Sequence, residues 1–165
     1  YQIGSLEAIC RADGLKLQHV KVHGALYNAA AKDLALATAI AKAIKAVDPA
    51  LYMLCLGNSL MVEAAKAEGV PYVEEAFADR AYTAQGTLVP RKQEGSVIHD
   101  PQQVAQRVLQ MVSEGQVQSL DGQKVPIAAQ TVCVHGDTPG AVAMIKAIRK
   151  ALDAAGVEVK AFGAF

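Results

Sequence analysis

Hydrophobic and polar positions alternate in blocks along the chain, and the blocks have the lengths of strands and helices. Short apolar runs occur at residues 17–22, 51–56, 70–77 and 131–134. The second run is nearly continuous, which is typical of a parallel strand buried on both faces. Longer segments with helical spacing lie at residues 1–12, 33–47, 59–69, 100–115 and 138–156. This order predicts an α/β fold whose mostly parallel strands are joined by crossover helices.

The ends of the predicted helices carry residues that favour capping. Asp33 and Asp100 stand where an N-cap side chain accepts a backbone N–H, and Pro101 suits the first helical position. Either Asn58 or Ser59 caps the third helix. Residues that stop a helix follow the predicted ends, at Gly14, Pro49, Gly69, Gly115 and Gly156. Each helix therefore has a local cause for where it begins or ends.

Three stretches depart from this order of long helices and apolar strands. Residues 81–92 lose the helical rhythm, and Pro90 limits regular pairing, so we expect a loop or irregular hairpin over a site. Residues 117–125 hold Asp121-Gly122 between short extended pieces, which predicts a β-hairpin because both turn residues tolerate positive φ. A short last strand is predicted at residues 157–161.

The composition supplies a core and removes two classes of partner. The 165 residues suit a single domain, with 52% hydrophobic and 19% charged residues. The formal net charge is zero, from 16 basic and 16 acidic residues, and no basic stripe marks a surface for nucleic acid or membrane. We therefore expect neither of these as a partner.

The cysteines and the first residues indicate the compartment and the extent of the chain. Cys10, Cys55 and Cys133 lie in or beside apolar runs, and their odd number favours reduced thiols in a cytoplasmic protein. No apolar run is long enough to span a bilayer. The chain begins at Tyr1, without Met and already in a helical pattern, which we interpret as a start partway into a larger protein.

Three polar clusters follow predicted strands, where α/β folds place reactive groups. In the first, alternation puts Lys21 and His23 on one strand face, and Gly24 and Asn28 follow. A lysine on a buried strand needs a partner for its charge, so Lys21 faces either a polar pocket or an exposed sheet edge. The two alternatives have equal weight from this segment alone, and the neighbouring His19 is interpreted as structural.

The second cluster combines Asp79, Arg80, Tyr82 and Arg91. Arginine holds a carboxylate or phosphate through two parallel hydrogen bonds, and an adjacent aspartate can orient it or act as a base. The alternative is an ion pair on a surface loop, which stabilises by roughly 0 to 1 kcal/mol.

The third cluster is His135-Gly136-Asp137, directly after an apolar strand. A histidine and an aspartate at this place can transfer protons or bind a metal. The alternative is that Asp137 or Thr138 only caps the next helix, and we expect one of them to do so. Capping does not explain His135.

Together these segments resemble the LamB/YcsF family. The resemblance rests on residues 1–6, 19–28, 75–82, 86–91 and 135–137, whose order and spacing are highly specific. Val22 departs from the family, which usually has proline there. Family members also carry an N-terminal portion with Asn-Cys-Asp, Gly-Phe-His-Ala-Gly-Asp and Gly-His-Pro motifs, none of which occurs here. The resemblance implies that residues 1–165 form one domain, the C-terminal part of an incomplete (β/α) barrel of the glycoside hydrolase and deacetylase type.

The resemblance also implies an activity, that of a hydrolase that cleaves the lactam of 5-oxo-L-proline to L-glutamate. ATP is the co-substrate, other subunits of the 5-oxoprolinase handle it, and a divalent metal is left open. In this hypothesis His23, His135, Asp79 and Asp137 are catalytic, and the substrate contacts are Lys21, Asn28, Arg80, Tyr82 and Arg91. Self-association of the chain is a further expectation. The alternatives are a scaffold subunit without catalysis and a metal-dependent amide hydrolase or deacetylase acting on a carbohydrate or small amide.

Overall fold

Helices and strands alternate through the computed structural model of the chain, which describes residues 1–163. The helices are α1 (Gln2–Ala12), α2 (Ala25–Ala30), α3 (Leu34–Val47), α4 (Leu60–Glu68), α5 (Pro101–Glu114) and α6 (Ala141–Ala154). The strands are β1 (His19–Val20), β2 (Tyr52–Leu56), β3 (Tyr72–Phe77), β4 (Gln116–Gln118), β5 (Lys124–Pro126) and β6 (Thr131–Cys133). Contacts within the chain divide it into two compact units, Tyr1–Glu74 and Glu75–Phe165.

The first unit contains a parallel strand pair covered by helices. β1 and β2 are parallel, with His19 opposite Tyr52, and β2 neighbours β3 in the sheet order β1-β2-β3-β6. α3 packs on α4 through small and apolar side chains, among them Ala37, Ala41, Ile44, Met61 and Ala65. Small residues let the two helix backbones approach closely. Within the described strands, β1 lies at an edge, as one of the two alternatives for the first cluster expected.

The second unit pairs the end of β3 with β6. These strands are parallel, and Phe77 lies opposite Cys133. α5 and α6 pack together over an apolar core that consists of Ala78, Val104, Ala105, Val108, Met144, Ile148 and Leu152. β4 and β5 form a separate antiparallel hairpin, as predicted, and of its two turn residues only Gly122 has a positive φ, of 85°. Residues 81–92 form neither a helix nor a named strand, also as predicted.

The capping residues confirm most of the predicted helices. The Asp33 carboxylate accepts the N–H of Leu36 at 3.0 Å, and the Asp100 carboxylate accepts that of Gln103 at 2.6 Å. Of the two candidates for the third cap, Ser59 is the one used. Because an N-cap acts within one turn of its own helix, sequence alone predicts it well.

The first predicted strand is much shorter than expected. β1 covers only two residues, so Lys21 and His23 lie beyond it and do not share a strand face. Gly24, at φ 60°, turns the chain into α2, a six-residue helix that the sequence pattern did not predict. The left-handed conformation costs glycine little, which is why the strand can end there.

The predictions for the last strand and the last helix cap were wrong. Residues 157–161 form no strand, because the Val157 N–H donates to the Leu152 carbonyl at the end of α6, and charged Glu158 and Lys160 pair in solvent. α6 begins at Ala141 with Gly140 as N-cap and no capping side chain. Neither Asp137 nor Thr138 caps it.

Two statements concern the chain as a whole. No helix within residues 1–163 combines the length and the apolar character that a bilayer crossing requires. The single domain inferred from the family resemblance stays a prediction.

Candidate active site

Strand register brings Asp79 and His135 together although 56 residues separate them in sequence. Phe77 and Cys133 lie opposite each other at the ends of β3 and β6, and the Ala78 N–H continues the pairing by donating to the Cys133 carbonyl at 3.0 Å. The two candidate residues each come two positions later. Because parallel strands end at the same edge of a sheet, their following residues meet there.

The contact between these side chains is a double hydrogen bond. Nδ1 of His135 lies 2.8 Å from Oδ1 and 3.0 Å from Oδ2 of Asp79. The Asp79 side chain is 1% exposed and the His135 side chain 16% exposed. A carboxylate this deeply buried needs donors to replace its lost hydration. The hydroxyl of Thr138 supplies another, donating to Oδ2 at 3.1 Å.

The imidazole ring is held on a second side by Phe77. The two rings stack, with centroids 5.6 Å apart and an angle of 23° between their planes. An ionised carboxylate can only accept, so Asp79 favours the tautomer with hydrogen on Nδ1. Nε2 of His135 has no hydrogen-bond partner among residues 1–163. This arrangement leaves Nε2 able to accept a proton from a bound molecule.

Asp137, the other acid of the third cluster, lies apart from this pair. It is exposed in the turn after β6, and its carboxylate makes no hydrogen bond or ion pair with a described residue. Its predicted catalytic role therefore has no contact behind it.

Arg80 is directed into the protein and not towards solvent. The residue is 6% exposed, and its guanidinium donates to the carbonyls of Val89 (2.6 Å) and Ser96 (3.3 Å). Burial lowers the pKa of Arg80, and the positive charge of Arg91 lowers it further. Arg80 thus binds the two sides of an irregular loop, which we call the arch and define as residues 81–97.

Arg91 lies on this arch with its side chain exposed. Its backbone carbonyl accepts the hydroxyl of Ser96 at 3.0 Å, which ties it to the same turn that Arg80 holds. Within the described residues, no acid pairs with its guanidinium. Arg91, unlike Arg80, presents its charge where an anion can reach it.

Tyr82 is fully buried, at 0% exposure. Its hydroxyl oxygen accepts the backbone N–H of Phe77 at 2.8 Å, and burial raises the pKa of the phenol far above its usual value. The contact supports the backbone of the residue that stacks on His135. Substrate contact by Tyr82 stays a prediction, and its hydroxyl already has this internal partner.

Arg107 is a residue that the sequence interpretation missed. From α5 it donates to the carbonyls of Arg80 (3.0 Å) and Gln118 (3.2 Å), and burial lowers its pKa. A sequence signal was available, since Arg107 lies three residues after Val104 and four before Met111, on the apolar face of the helix. A charge on such a face predicts an internal partner.

The first cluster belongs to the first compact unit. The Lys21 ammonium lies 5.6 Å from the centroid of the Tyr27 ring, close enough for a cation–π contact. The Asn28 amide donates to the Gly24 carbonyl at 3.1 Å, and His23 is exposed. The residues of the other two clusters all belong to the second unit, namely Asp79, Arg80, Tyr82, Arg91, His135 and Asp137. Convergence of the two sets on one substrate stays a prediction.

Metal ligation has no support from this part of the chain. Among residues 1–163, no three His, Cys, Asp or Glu side chains come together as ligands. We therefore derive no catalytic step through a metal from the residues described.

Comparison with known proteins gives a consistent set of matches. The LamB/YcsF family model matches residues 1–165. The chain is 48% identical over 162 residues to the 5-oxoprolinase A-subunit 3 of Pseudomonas syringae pv. tomato, covering 98% of the chain and 63% of that protein. It is 52% identical over 159 residues to the 5-oxoprolinase A-subunit of Coprothermobacter proteolyticus, covering 96% of the chain and 61% of that protein. The chain thus spans less than two thirds of the length of these relatives.

A solved structure is also similar. The crystal structure of a lactam utilization protein from Thermus thermophilus matches with a TM-score of 0.89 and 49% identity, over 98% of the chain and 64% of that protein. This likeness and the mostly parallel order of strands confirm the predicted fold class, an α/β fold of the partial (β/α) barrel type.

Proposed function

Because this chain belongs to the LamB/YcsF family, we propose that it forms part of the A-subunit of a 5-oxoprolinase. The reaction is the ATP-dependent opening of the lactam ring of 5-oxo-L-proline to give L-glutamate. The names of its relatives and the Asp79–His135 pair support this assignment. Because those relatives are longer than this chain, we assign the activity to the whole protein of which these residues are a part.

The Asp79–His135 pair is the observation that carries the proposal. A histidine whose Nδ1 is bound by a buried carboxylate keeps Nε2 free of hydrogen, and it can take a proton at neutral pH. General acid–base catalysis of this kind accelerates a reaction by roughly 10²- to 10⁴-fold. Amide cleavage requires such a group, because the leaving nitrogen must be protonated.

The chemistry divides between ATP and this pair. A lactam carbonyl is a poor electrophile, and transfer of a phosphoryl group from ATP to its oxygen makes the carbon more reactive. Water then adds to that carbon as Nε2 of His135 takes its proton, and the same proton passes to the ring nitrogen as the C–N bond breaks. Hydrolysis of the resulting acyl phosphate by a second water gives glutamate and inorganic phosphate.

Arg91 is the group on the arch best suited to an anion. Its exposed guanidinium suits the carboxylate of 5-oxoproline or the transferred phosphoryl group. Lys21, His23 and Asn28 complete the proposed substrate contacts from the first unit. Arg80 acts in this proposal through the arch, since its own donors already bind two backbone carbonyls.

Other subunits supply the nucleotide site. The sequence has no G-x-G-x-x-G or Walker loop, so ATP binding falls to partners of this protein. The three cysteines are free, and only Cys55 is buried, which suits a reducing compartment. We therefore place the enzyme in the cytoplasm, where ATP is present.

An assay of glutamate release tests the proposal. The full-length protein is incubated with 5-oxo-L-proline, with and without ATP and with and without its partner subunits. We expect glutamate only when ATP and all subunits are present.

The other outcomes separate the alternatives. Glutamate release with a divalent metal and without ATP would favour the metal-dependent amide hydrolase. An absence of release under every condition, from proteins shown to be folded, would leave a scaffold role and contradict the proposed catalysis.

A further inference from the structure

We infer that Thr138 is a positioning residue for the Asp79–His135 pair. Its hydroxyl holds the carboxylate of Asp79 in the rotation at which that carboxylate fixes the histidine tautomer. The inference rests on the proposed function for its consequence in catalysis, while its structural part concerns only these three side chains.

A tight turn places Thr138 where it can act. The Thr138 N–H donates to the His135 carbonyl at 3.1 Å, which closes a turn of four residues. The first and last side chains of this turn both reach Asp79, His135 through Nδ1 and Thr138 through Oγ1. One short segment therefore supplies both the reactive ring and the group that orients its partner.

The hydroxyl contact has no local helical purpose. A threonine just before a helix usually caps it, but here Gly140 is the N-cap and no side chain accepts from the first turn of α6. The Thr138 hydroxyl instead donates to Oδ2 of a carboxylate that is 1% exposed. The sequence has thus placed a good capping residue where its oxygen serves a distant acid.

The geometry explains why this contact matters for His135. The last torsion of an aspartate is broad, so a carboxylate held by one donor can rotate. With Oδ2 bound to Thr138 and both oxygens within 3.0 Å of Nδ1, the carboxylate lies across the ring edge and holds hydrogen on Nδ1. Without the hydroxyl, rotation weakens this preference, and the ring samples the tautomer that places hydrogen on Nε2.

The groups around the ring stay the same when Thr138 is replaced. Arg80 follows Asp79 in sequence, Cys133 lies on β6, and Asp137 lies in the turn. Phe77 covers one ring face without carrying charge. A change in tautomer after substitution of Thr138 therefore reports the loss of its hydroxyl.

The test uses Thr138→Val and Thr138→Ser in the full-length protein with ¹⁵N-labelled histidine. Valine keeps the shape and removes the donor, whereas serine keeps the donor. Long-range ¹H–¹⁵N spectra report which ring nitrogen of His135 carries hydrogen. We expect hydrogen on Nδ1 in the wild type and in Thr138→Ser, and a mixture of tautomers in Thr138→Val.

Kinetics with partner subunits give the second readout. We expect Thr138→Val to lower kcat by about tenfold with little change in KM, the size of effect that outer hydrogen-bond partners have on a reactive group. Thr138→Ser restores kcat. Thr131→Val is the matched control, because it removes a threonine hydroxyl from β6 that makes no hydrogen bond to Asp79 or His135.

Two results would overturn the inference. One is an unchanged Nδ1–H tautomer in a folded Thr138→Val protein, and the other is an equal effect of Thr138→Ser and Thr138→Val. Should the valine variant not fold, Thr138→Ala removes the same hydroxyl and decides the question. A tautomer change in a protein that releases no glutamate would support the positioning role and contradict the proposed function alone.

Discussion

A buried polar side chain reveals its role through the partner that compensates for its burial. Asp79 has a histidine and a threonine as donors, Tyr82 has a backbone N–H, and Arg80 has two carbonyls. Of these three sets, the first alone leaves a free acid–base atom, Nε2 of His135. At the scale of single residues, the structure therefore separates a candidate reactive pair from two residues that hold the backbone around it.

Tyr82 provides a prediction about stability. Tyr82→Phe removes the acceptor for the buried Phe77 N–H, and a buried backbone donor without a partner costs about 1–3 kcal/mol. We expect that loss in the free energy of unfolding, measured with urea at neutral pH. A loss of glutamate release in a folded Tyr82→Phe protein of wild-type stability would instead favour direct substrate contact.

The same residue predicts a pH dependence. Burial raises the pKa of the Tyr82 phenol, so its contribution to stability is full below about pH 10, the value of an unfolded tyrosine, and declines as pH rises above it. We expect the difference in unfolding free energy between wild type and Tyr82→Phe to shrink above about pH 10. A difference that stays constant to higher pH would contradict this.

Residue chemistry was predictable from the sequence where the cause was local. Asp33, Ser59 and Asp100 cap their helices as expected, because each acts within one turn of its own position. Thr138 was predicted wrongly by the same rule, since its hydroxyl is used by Asp79, 59 residues away in sequence. A distant acid that competes for a capping oxygen leaves no trace in the neighbouring residues.

At the scale of elements, the arch depends on one side chain. Arg80 bridges the Val89 and Ser96 carbonyls, and Arg107 from α5 in turn holds the Arg80 carbonyl. The arch has no helix and only isolated pairings of its own, between Arg80 and Val97 and between Tyr82 and Leu88. Its order therefore rests on a guanidinium with donors in a fixed plane.

Arg80→Lys tests this dependence. Lysine keeps the charge but cannot reach both carbonyls with fixed geometry, so we expect faster amide hydrogen exchange in residues 81–97 and a higher KM for 5-oxoproline. Arg149→Lys is the control, since Arg149 only pairs with Asp153 on the surface of α6. Unchanged exchange across residues 81–97 would show that the arch is held by something else.

The elements themselves were largely readable from hydrophobic period and end signals. What periodicity missed was short: the two-residue β1, the six-residue α2 and the absence of a strand at 157–161. Short pieces have too few residues to show a period, and their existence depends on what lies beside them. The pairing of β3 with β6, which creates the candidate site, likewise depends on residues far apart in sequence.

At the scale of the whole molecule, the central issue is whether the two polar sets act on one substrate. Three candidate residues, Lys21, His23 and Asn28, belong to the first compact unit, whereas the Asp79–His135 pair belongs to the second. The family resemblance predicts that they act together, but neither periodicity nor register could establish it. Only a measurement of coupling can.

A double-mutant cycle supplies that measurement. We expect His23→Ala and His135→Ala to lower kcat/KM by amounts that do not add, because groups that act on one transition state are coupled. The pair His19→Ala and His135→Ala is the control, since His19 is exposed and was interpreted as structural. Simple additivity of His23 and His135 would argue against a shared site.

The most direct test concerns His135 itself. Steady-state glutamate release from 5-oxo-L-proline is measured for the full-length protein and its His135→Asn variant, with ATP and the wild-type partner subunits. Asparagine keeps a polar side chain near Asp79 but cannot accept a proton in the way Nε2 does, so kcat should fall by about 10²-fold or more. Turnover by a folded His135→Asn protein at the wild-type rate would contradict the account.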